Sequence, residues 1–481
     1  MLDDIVKERK EKLKTLKEAS INPYPAVSKR THEIKEILDS FLSLEKSKKK
    51  ISIVGRVRAR RGQGKIAFMD LEDATGRMQI VLRDDKTYKF KDLVPNIDAG
   101  DFLEVQGKVF VTQKGEKSVE GSLVTILNKT LLPLPNDYYG LDDLETKLRK
   151  RYLDLILNKE VRELFKTKSV FWQSIRQFLI KEGFMEVETP VLEATPGGAE
   201  AEPFKTYHKA LNEEFYLRIS LEIALKKLMV GGFEKIFEIG RIFRNEGISN
   251  EHLQDYTQLE FYLAYADYET LMKLVEKMYK QVIKETFGTY IFTHKGHKVS
   301  WGGKWKKIDY FEAFKNGTKL DLEKVTYDDL YKKAKELKLP VTKKLSKGRL
   351  IDLLFKKTVR PNLIEPAFLI DPPVEIEPLA KRHRTNPKKV ERFQVVAYGS
   401  ELGKGFSESN DPIDQRERFI EQEKARERGD VEAQMLDESF LEALEYGMPP
   451  MAGFGLSERL FAVLAGRPIR ETVFFPLMKK K

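Results

Sequence analysis

The chain has 481 residues, a formal net charge of +11 at pH 7 and no cysteine. That length exceeds one compact core, so about two or three domains are expected. The missing cysteines exclude disulfides, thiolate metal sites and a thiol nucleophile. With 41% hydrophobic and 33% charged residues, the composition is that of a soluble globular protein. No apolar run approaches the ~18 residues of a membrane span, and MLDDIVKERKEKLK lacks a signal peptide's apolar core. A cytoplasmic protein is therefore expected, with no membrane partner. The basic balance suits a polyanion, nucleic acid first, although a lysine-rich surface gives the same charge.

Residues 3–19 read as a basic helix that ends before Asn22-Pro23-Tyr24-Pro25. The tract KSKKK at 46–50 reads as a solvated connection. From Ile51 the pattern becomes short strands: ISIVGRVRARR, KIAFMDLED, GRMQIVLR, DFLEVQGKVFVT and SLVTIL. Such a series predicts a small barrel, with an OB-fold as the leading candidate. Barrels of that kind stack bases on aromatics beside basic groups. Phe68, with Arg58, Arg60 and Arg61 on the preceding strand, supplies the ingredients, though Phe68 reads equally as a core aromatic. LLPLPNDYYGLDD at 131–143 has the prolines and glycine of a linker. Beyond it a helix is predicted over 160–182, broken at Gly183, then the strand FMEVE and Thr189-Pro190. Residues 320–360 read as amphipathic helices inserted between strands of a mixed sheet.

Three stretches carry chemistry. KIFEIGRIF at 235–243 and residues 256–265 predict an antiparallel hairpin with a long connection. Tyr256, Gln258, Glu260 and Tyr262 alternate with Thr257, Leu259, Phe261 and Leu263, which gives one polar and one apolar face. Glu238, Gly240, Ile242 and Arg244 share a face of the partner strand. Arg244 offers a planar fork for phosphate or carboxylate, Tyr256 a ring for a purine, and Glu260 a carboxylate for a cation. A surface hairpin with scattered ion pairs is the plainer reading. In VVAYGSELGKGFSESNDP at 395–412, two glycine breaks separate Glu401 from Glu408, as suits acids projecting into a cavity; beside phosphates such acids hold Mg²⁺. In MPPMAGFGLSERLFAVL at 448–464, glycines lead into a helix with Ser457 as N-cap and Arg459 in its first turn, an arrangement that favours anions. No P-loop and no GxGxxG is present.

Taken in order, FMEVETP, FRNEGISNEHLQDYTQLEFY and GFGLSERL, with RKRYLDLI, ATPGGAEAEPF and GFSESNDP between and around them, resemble the bacterial class II lysyl-tRNA synthetases over nearly the whole chain. The resemblance implies an α+β protein of two domains. Residues 1–140 would hold the N-terminal helix and a five-stranded OB-fold barrel that reads the anticodon. Residues 141–481 would hold a class II catalytic domain, an antiparallel sheet flanked by helices, with the helical insertion at about 320–360. It further implies a homodimer through the first motif and a lysine–tRNA ligase that forms lysyl-adenylate from lysine and ATP, then charges the 3′ end of tRNA(Lys), with Mg²⁺ as cofactor. Arg244 would hold the α-phosphate and the lysine carboxylate, Glu246 and His252 would contact ATP, Tyr256 would stack on adenine, and Arg459 would grip the γ-phosphate. Arg244, Glu246 and Arg459 form the catalytic set. Glu401 and Gln394 would meet the metal. The Gly198 carbonyl and Glu222 would receive the α-ammonium of lysine; Glu260, Tyr262 and Glu408 would receive the ε-ammonium. Arg61, Phe68 and Gln79 would meet anticodon bases.

Departures from the family pattern accompany it. Gln394 stands where a glutamate is usual, Lys404 where an asparagine is, and Ser457-Glu458 where glycine and aspartate are. Lys404 is expected either beside the substrate carboxylate or turned to solvent. The alternatives are a class II relative specific for aspartate or asparagine, and a tRNA-binding paralogue with impaired catalysis.

Overall fold

In the computed structural model the described residues are 2–62, 64–135, 141, 143–247, 249, 251–430 and 433–479. They fall into two units, Met1–Asp142 and Asp143–Lys481.

Alternation builds the first unit. In β2 (Ile66–Glu72), Ala67, Met69 and Leu71 are buried while Ile66, Phe68, Asp70 and Glu72 are half-exposed. With β1 (Ile51–Arg61), β3 (Arg77–Arg83), β4 (Phe102–Val111) and β5 (Lys117–Asn128), it closes a barrel in the order β1-β2-β3-β5-β4. A register shift between Val57 and Ala59 breaks the alternation of β1, as a bulge does. The N-terminal helix Leu2–Glu18 docks through Leu16, which joins the barrel core. Arg9 Nη1 fastens it by donating to Thr130 Oγ1 at 2.8 Å. The tract at 46–50 is not wholly a connection: the short helix Phe41–Ser47 runs into it, anchored by buried Phe41 and Leu44, and stops at Lys48 in the left-handed region.

The second unit is organised by an eight-stranded sheet of order β14-β15-β16-β17-β18-β11-β10-β6. Its strands are β6 (Met185–Glu186), β10 (Lys235–Phe243), β11 (Asp255–Ala264), β14 (Lys306–Asp309), β15 (Ala367–Ile370), β16 (Arg392–Ala397), β17 (Ser400–Ser407) and β18 (Met451–Ser457). The central strands pair antiparallel, whereas β14 with β15 and β10 with β6 pair parallel, so the sheet is mixed. A parallel pair needs a crossover. Between β14 and β15 that crossover is three helices, Tyr310–Thr318, Tyr327–Glu336 and Lys347–Thr358, with a core around Phe314, Leu330 and Leu354. Two smaller sheets complete the strands: β7 (Leu192–Glu193), β8 (Lys205–His208) and β9 (Glu213–Leu217), and the hairpin β12 (Ile291–His294) with β13 (His297–Ser300).

Helices Lys159–Lys181 and Tyr268–Phe287 cover one face of the large sheet. Leu259, Phe261, Phe393, Val395, Phe454 and Leu456 point into that core with Phe171, Tyr279 and Trp301. Period two then sends their neighbours to the opposite face. Those neighbours are Gln258, Glu260, Tyr262, Gln394, Gly453 and Gly455.

The stretch 451–457 is a strand, and its glycines lead through it into the expected helix, but the cap is not the expected serine. Ser457 closes that strand and Glu458 takes the cap position of the helix Arg459–Leu464. Ser457 Oγ still accepts from Arg459 N at 3.3 Å.

Candidate active site

Strand register sets the site across the sheet. Gln394 pairs with Lys404, Lys404 with Gly455, Gly455 with Glu260, and Glu260 with Glu238. One step along, Gly453 pairs with both Phe406 and Tyr262. These rows floor a cleft of about 290 Å³, whose lining includes Gly198, Glu222, Arg244, Tyr256, Glu260, Tyr262, Gln394, Glu401, Lys404, Glu408 and Arg459. Tyr256 to Tyr262 spans six residue steps of one strand, roughly 20 Å, so the cleft has distinct ends.

The floor is low because β18 has no side chains there. A Cβ on Gly453 would stand 2.3 Å from Tyr262 Cε1 and 2.5 Å from Glu408 Oε1. Gly198 sits at φ +83°, and a Cβ on it would lie 2.7 Å from Glu222 Cβ. A larger residue would thus need both a left-handed backbone and a displaced Glu222.

One end is acidic. Glu222, Glu260 and Glu408 are 5%, 4% and 1% exposed. Glu260 Oε1 accepts from Ser220 Oγ at 2.6 Å, from Leu221 N at 3.2 Å and from Gln258 Nε2; Oε2 accepts from Tyr262 Oη at 3.1 Å. Burial, reinforced by the charge of Glu222, pushes the Glu260 carboxyl up to about 7. Burial likewise raises Glu408 well above the ordinary carboxylate range, even against the cation of Lys226. Carboxyl groups so displaced are ready to ionise when a cation arrives. Sequence patterning did not single out Lys226, whose Nζ meets Glu222 Oε1 at 2.6 Å and also touches Glu408. The signal was present: Glu222, Ile223, Leu225, Lys226 and Met229 form the buried face of the helix Glu222–Val230, a helical spacing.

The other end mixes bases, among them Arg244, Lys356, Arg392, Lys404 and Arg459, with acids that include Asp352, Glu377 and Glu401. Arg244 Nε donates to Ile219 O at 3.1 Å, and its guanidinium lies 5.7 Å from the Tyr256 ring centre. Arg459 spans to two backbone carbonyls, Glu251 O at 3.2 Å and Glu401 O at 3.3 Å. Burial works to raise the Glu401 carboxyl, but Arg392, Lys404, Arg459 and Lys356 outweigh it and hold it below the usual range. Lys404 lines the cleft, its Nζ 3.0 Å from Glu377, which also meets Arg392 at 3.3 Å. Lys356, Arg349 and Asp352 reach the lining from the helix Lys347–Thr358.

Glu246 and His252 stand outside the lining, on the connection between β10 and β11. His252 is exposed there, its Nδ1 2.7 Å from Ser249 Oγ. Glu238 shares the polar face of the hairpin yet is committed elsewhere, to Arg218 at 2.7 Å and Thr189 Oγ1 at 2.7 Å. Glu458 is also structural: it is fully buried, meets Lys168, and accepts from Thr257 N at 3.3 Å.

Among the described residues, no group of three or more His, Asp or Glu forms a metal cage. The two expected metal-facing residues, Glu401 and Gln394, do meet: Gln394 Nε2 donates to Glu401 Oε2 at 2.7 Å. Few protein oxygens fit Mg²⁺, which keeps waters and is bound through substrate phosphates.

In the barrel, Arg61 and Phe68 are register partners on β1 and β2, and Asp70 and Gln79 are partners on β2 and β3. Phe68 is half-exposed on the outer wall, away from the core side of Ala67 and Met69. Asp70 lies between Arg61 (3.5 Å) and Arg77 (2.7 Å), and Gln79 Nε2 donates to Ser118 Oγ at 2.8 Å.

Residues 143–479 match the family model for tRNA synthetases class II (D, K and N), and residues 51–127 match that for the OB-fold nucleic acid binding domain. The lysine–tRNA ligase of Carboxydothermus hydrogenoformans is 45% identical over all of this chain and 99% of its own length. Those of Moorella thermoacetica and Bacillus subtilis are 44% and 40% identical, each over all of this chain and 98% of their own length. The chain belongs to the lysine–tRNA ligase family of class II tRNA synthetases. Within that family assignment the fold is an OB-fold barrel followed by a class II catalytic domain, and the cleft lies wholly in the latter.

Proposed function

We infer that the chain is a lysine–tRNA ligase whose catalytic site is the cleft across β11, β18 and β17. The observation that carries this reading is the gathering of three buried carboxylates, Glu222, Glu260 and Glu408, at one end of a cleft that carries Arg244 and Arg459 toward the other. The matching family model spans enzymes for aspartate, lysine and asparagine. An acidic pocket repels an aspartate side chain and welcomes an ammonium.

In the reaction so assigned, a lysine carboxylate oxygen attacks the α-phosphorus of ATP. A P–O bond forms, the α–β bridging bond breaks, and pyrophosphate leaves. A ribose hydroxyl at the 3′ end of tRNA then attacks the lysyl carbonyl and releases AMP. Arg244 would orient the lysine carboxylate and offset charge at the α-phosphate, and Arg459 would hold the far phosphates. Tyr256 supplies a face for adenine. Glu260 with Tyr262, and Glu408, take the ε-ammonium; Glu222 and the Gly198 carbonyl take the α-ammonium. Lys404, held by Glu377, adds positive charge beside the carboxylate. Glu401 and Gln394 would hold Mg²⁺, which when bound neutralises phosphate charge. Glu246 and His252, which lie outside the cleft lining on the connection between β10 and β11, would contact ATP.

The barrel wall around Arg61, Phe68 and Gln79 is assigned to anticodon bases. A homodimer is part of the same reading, supported by apolar side chains left exposed near the first motif: Ile180, Met185, Val191 and Leu192. A cytoplasmic location follows from work on tRNA. Among the described residues no helix is long and apolar enough to cross a membrane.

The test is amino-acid-dependent ATP–pyrophosphate exchange titrated with Mg²⁺. Exchange with lysine, and none with aspartate or asparagine, is expected. Exchange with aspartate and not lysine would overturn the assignment. Tight tRNA binding without exchange at saturating Mg²⁺ would favour a non-catalytic paralogue.

A further inference from the structure

Lys226 lies behind Glu222 and Glu408, two acids of the cleft lining to which it does not itself belong, and the proposed function gives it no part. Its helix carries it to 1% exposure. Its Nζ sits 2.6 Å from Glu222 Oε1, touches Glu408 Oε2, and lies 5.2 Å and 5.8 Å from the ring centres of Phe406 and Phe440. A buried ammonium needs full compensation, and the two carboxylates with the two ring faces supply it. The clamp also fixes the acids. Neither oxygen of Glu408 makes a hydrogen bond; Oε2 is ion-paired with Lys226, and Oε1 lies against the bare floor at Gly453. With Oε2 held by Lys226, Oε1 is the oxygen left for a ligand.

Charge counting gives the clamp a further meaning. Ionised Glu222, Glu260 and Glu408 carry three negative charges, and Lys226 cancels one. The remainder matches the two ammonium groups of a bound lysine, whose carboxylate is left to Arg244.

We propose that Lys226 is a positioning residue for amino-acid selection: its ammonium ties Glu222 to Glu408 and trims the pocket to the charge that a diammonium ligand neutralises. This rests on the lysine–tRNA ligase reading, so the unaltered chain is assayed first. Failure of its lysine-dependent exchange refutes that reading rather than the role of Lys226.

The experiment measures KM for lysine and for ATP in pyrophosphate exchange on the full chain, with Lys226→Met, Glu408→Gln and the double variant. Lys226→Met is expected to raise the lysine KM at least about tenfold and to leave the ATP KM within about twofold, a loss confined to one substrate. Glu408→Gln should cost less in the Lys226→Met background than alone, because it removes the surplus charge; coupled neighbours depart from additivity in this way. Lys226→Arg, which keeps the cation, should recover most of the lysine KM. If Lys226→Met does not fold, Lys226→Gln, which can still hydrogen-bond both acids, is read in its place against the same expectations. Equal rises in both KM values, strictly additive substitutions, or an arginine variant no better than the neutral ones would each overturn the proposal and leave Lys226 a structural ion pair.

Discussion

Substituting Gly453 by alanine probes the floor of the cleft most directly. The new Cβ would stand 2.3 Å from Tyr262 Cε1 and 2.5 Å from Glu408 Oε1. Carbon atoms in contact lie about 3.5–4.0 Å apart, so the Tyr262 ring must retreat by more than about 1 Å. Tyr262 donates to Glu260 Oε2 at 3.1 Å, and a retreat of that size breaks the bond. Overpacking of this kind costs about 1–3 kcal/mol, and misplacing a positioning group by about 1 Å costs on the order of 100-fold in rate. In lysine-dependent pyrophosphate exchange, Gly453→Ala should therefore lower kcat/KM for lysine by about two orders of magnitude, while the ATP KM stays within about twofold. Gly455→Ala is the internal comparison. Its Cβ would meet nothing closer than Glu260 Cγ at 3.3 Å, a contact relieved by a few tenths of an ångström, so it should do less harm. An unchanged lysine KM in Gly453→Ala, or a worse defect in Gly455→Ala, would refute the placement of the amino acid against Tyr262 and Glu408.

Three other outcomes follow from the site and the barrel. Burial raises the Glu260 carboxyl to about 7, and an ammonium binds its ionised form, so kcat/KM for lysine should fall about tenfold per pH unit below that value, a limb that Glu260→Gln abolishes. The same shift acts on stability with the opposite sign: a raised carboxyl stabilises the lysine-free fold at low pH and loses that contribution as pH rises through about 7. The Tm of the lysine-free chain should accordingly drop across that range more than in Glu260→Gln. On the barrel wall, Phe68→Ala removes a ring worth about 1–3 kcal/mol per stacked base. tRNA charging should weaken while pyrophosphate exchange is untouched, and a joint loss would mean damaged folding instead.

Much of this arrangement could be read from residue order, and the limits are physical. Period two in DYTQLEFY exposed the polar face of β11, because a strand half covered by helices must alternate. The partner strand misled in one respect. Glu238 lies on the same face and pairs with Glu260, yet Arg218, seventeen residues before β10 begins, has already claimed it. Such a pairing leaves no local mark. Ser457 looked like a cap because serine before a charged helix start often is; Gln258 in the neighbouring strand draws it into the sheet instead. Lys226 hid in plain view, since lysines on helices are usually solvated and only the spacing with Glu222 and Met229 turned this one inward. The crowding of four cations around Glu401 was also invisible, for Lys356 arrives from the helical crossover and Arg392 from another strand.

The row Gln394, Lys404, Gly455, Glu260 and Glu238 has a temporal side. Strand β18 lies between β11 and β17, though it follows both in the chain. Glu260 therefore has no floor beside it until a segment almost two hundred residues downstream inserts between strands already made. Pairings of such long range close late in folding. During synthesis the catalytic domain would thus recognise no amino acid until its final strand docked, so that acquisition of lysine affinity marks the completion of the sheet.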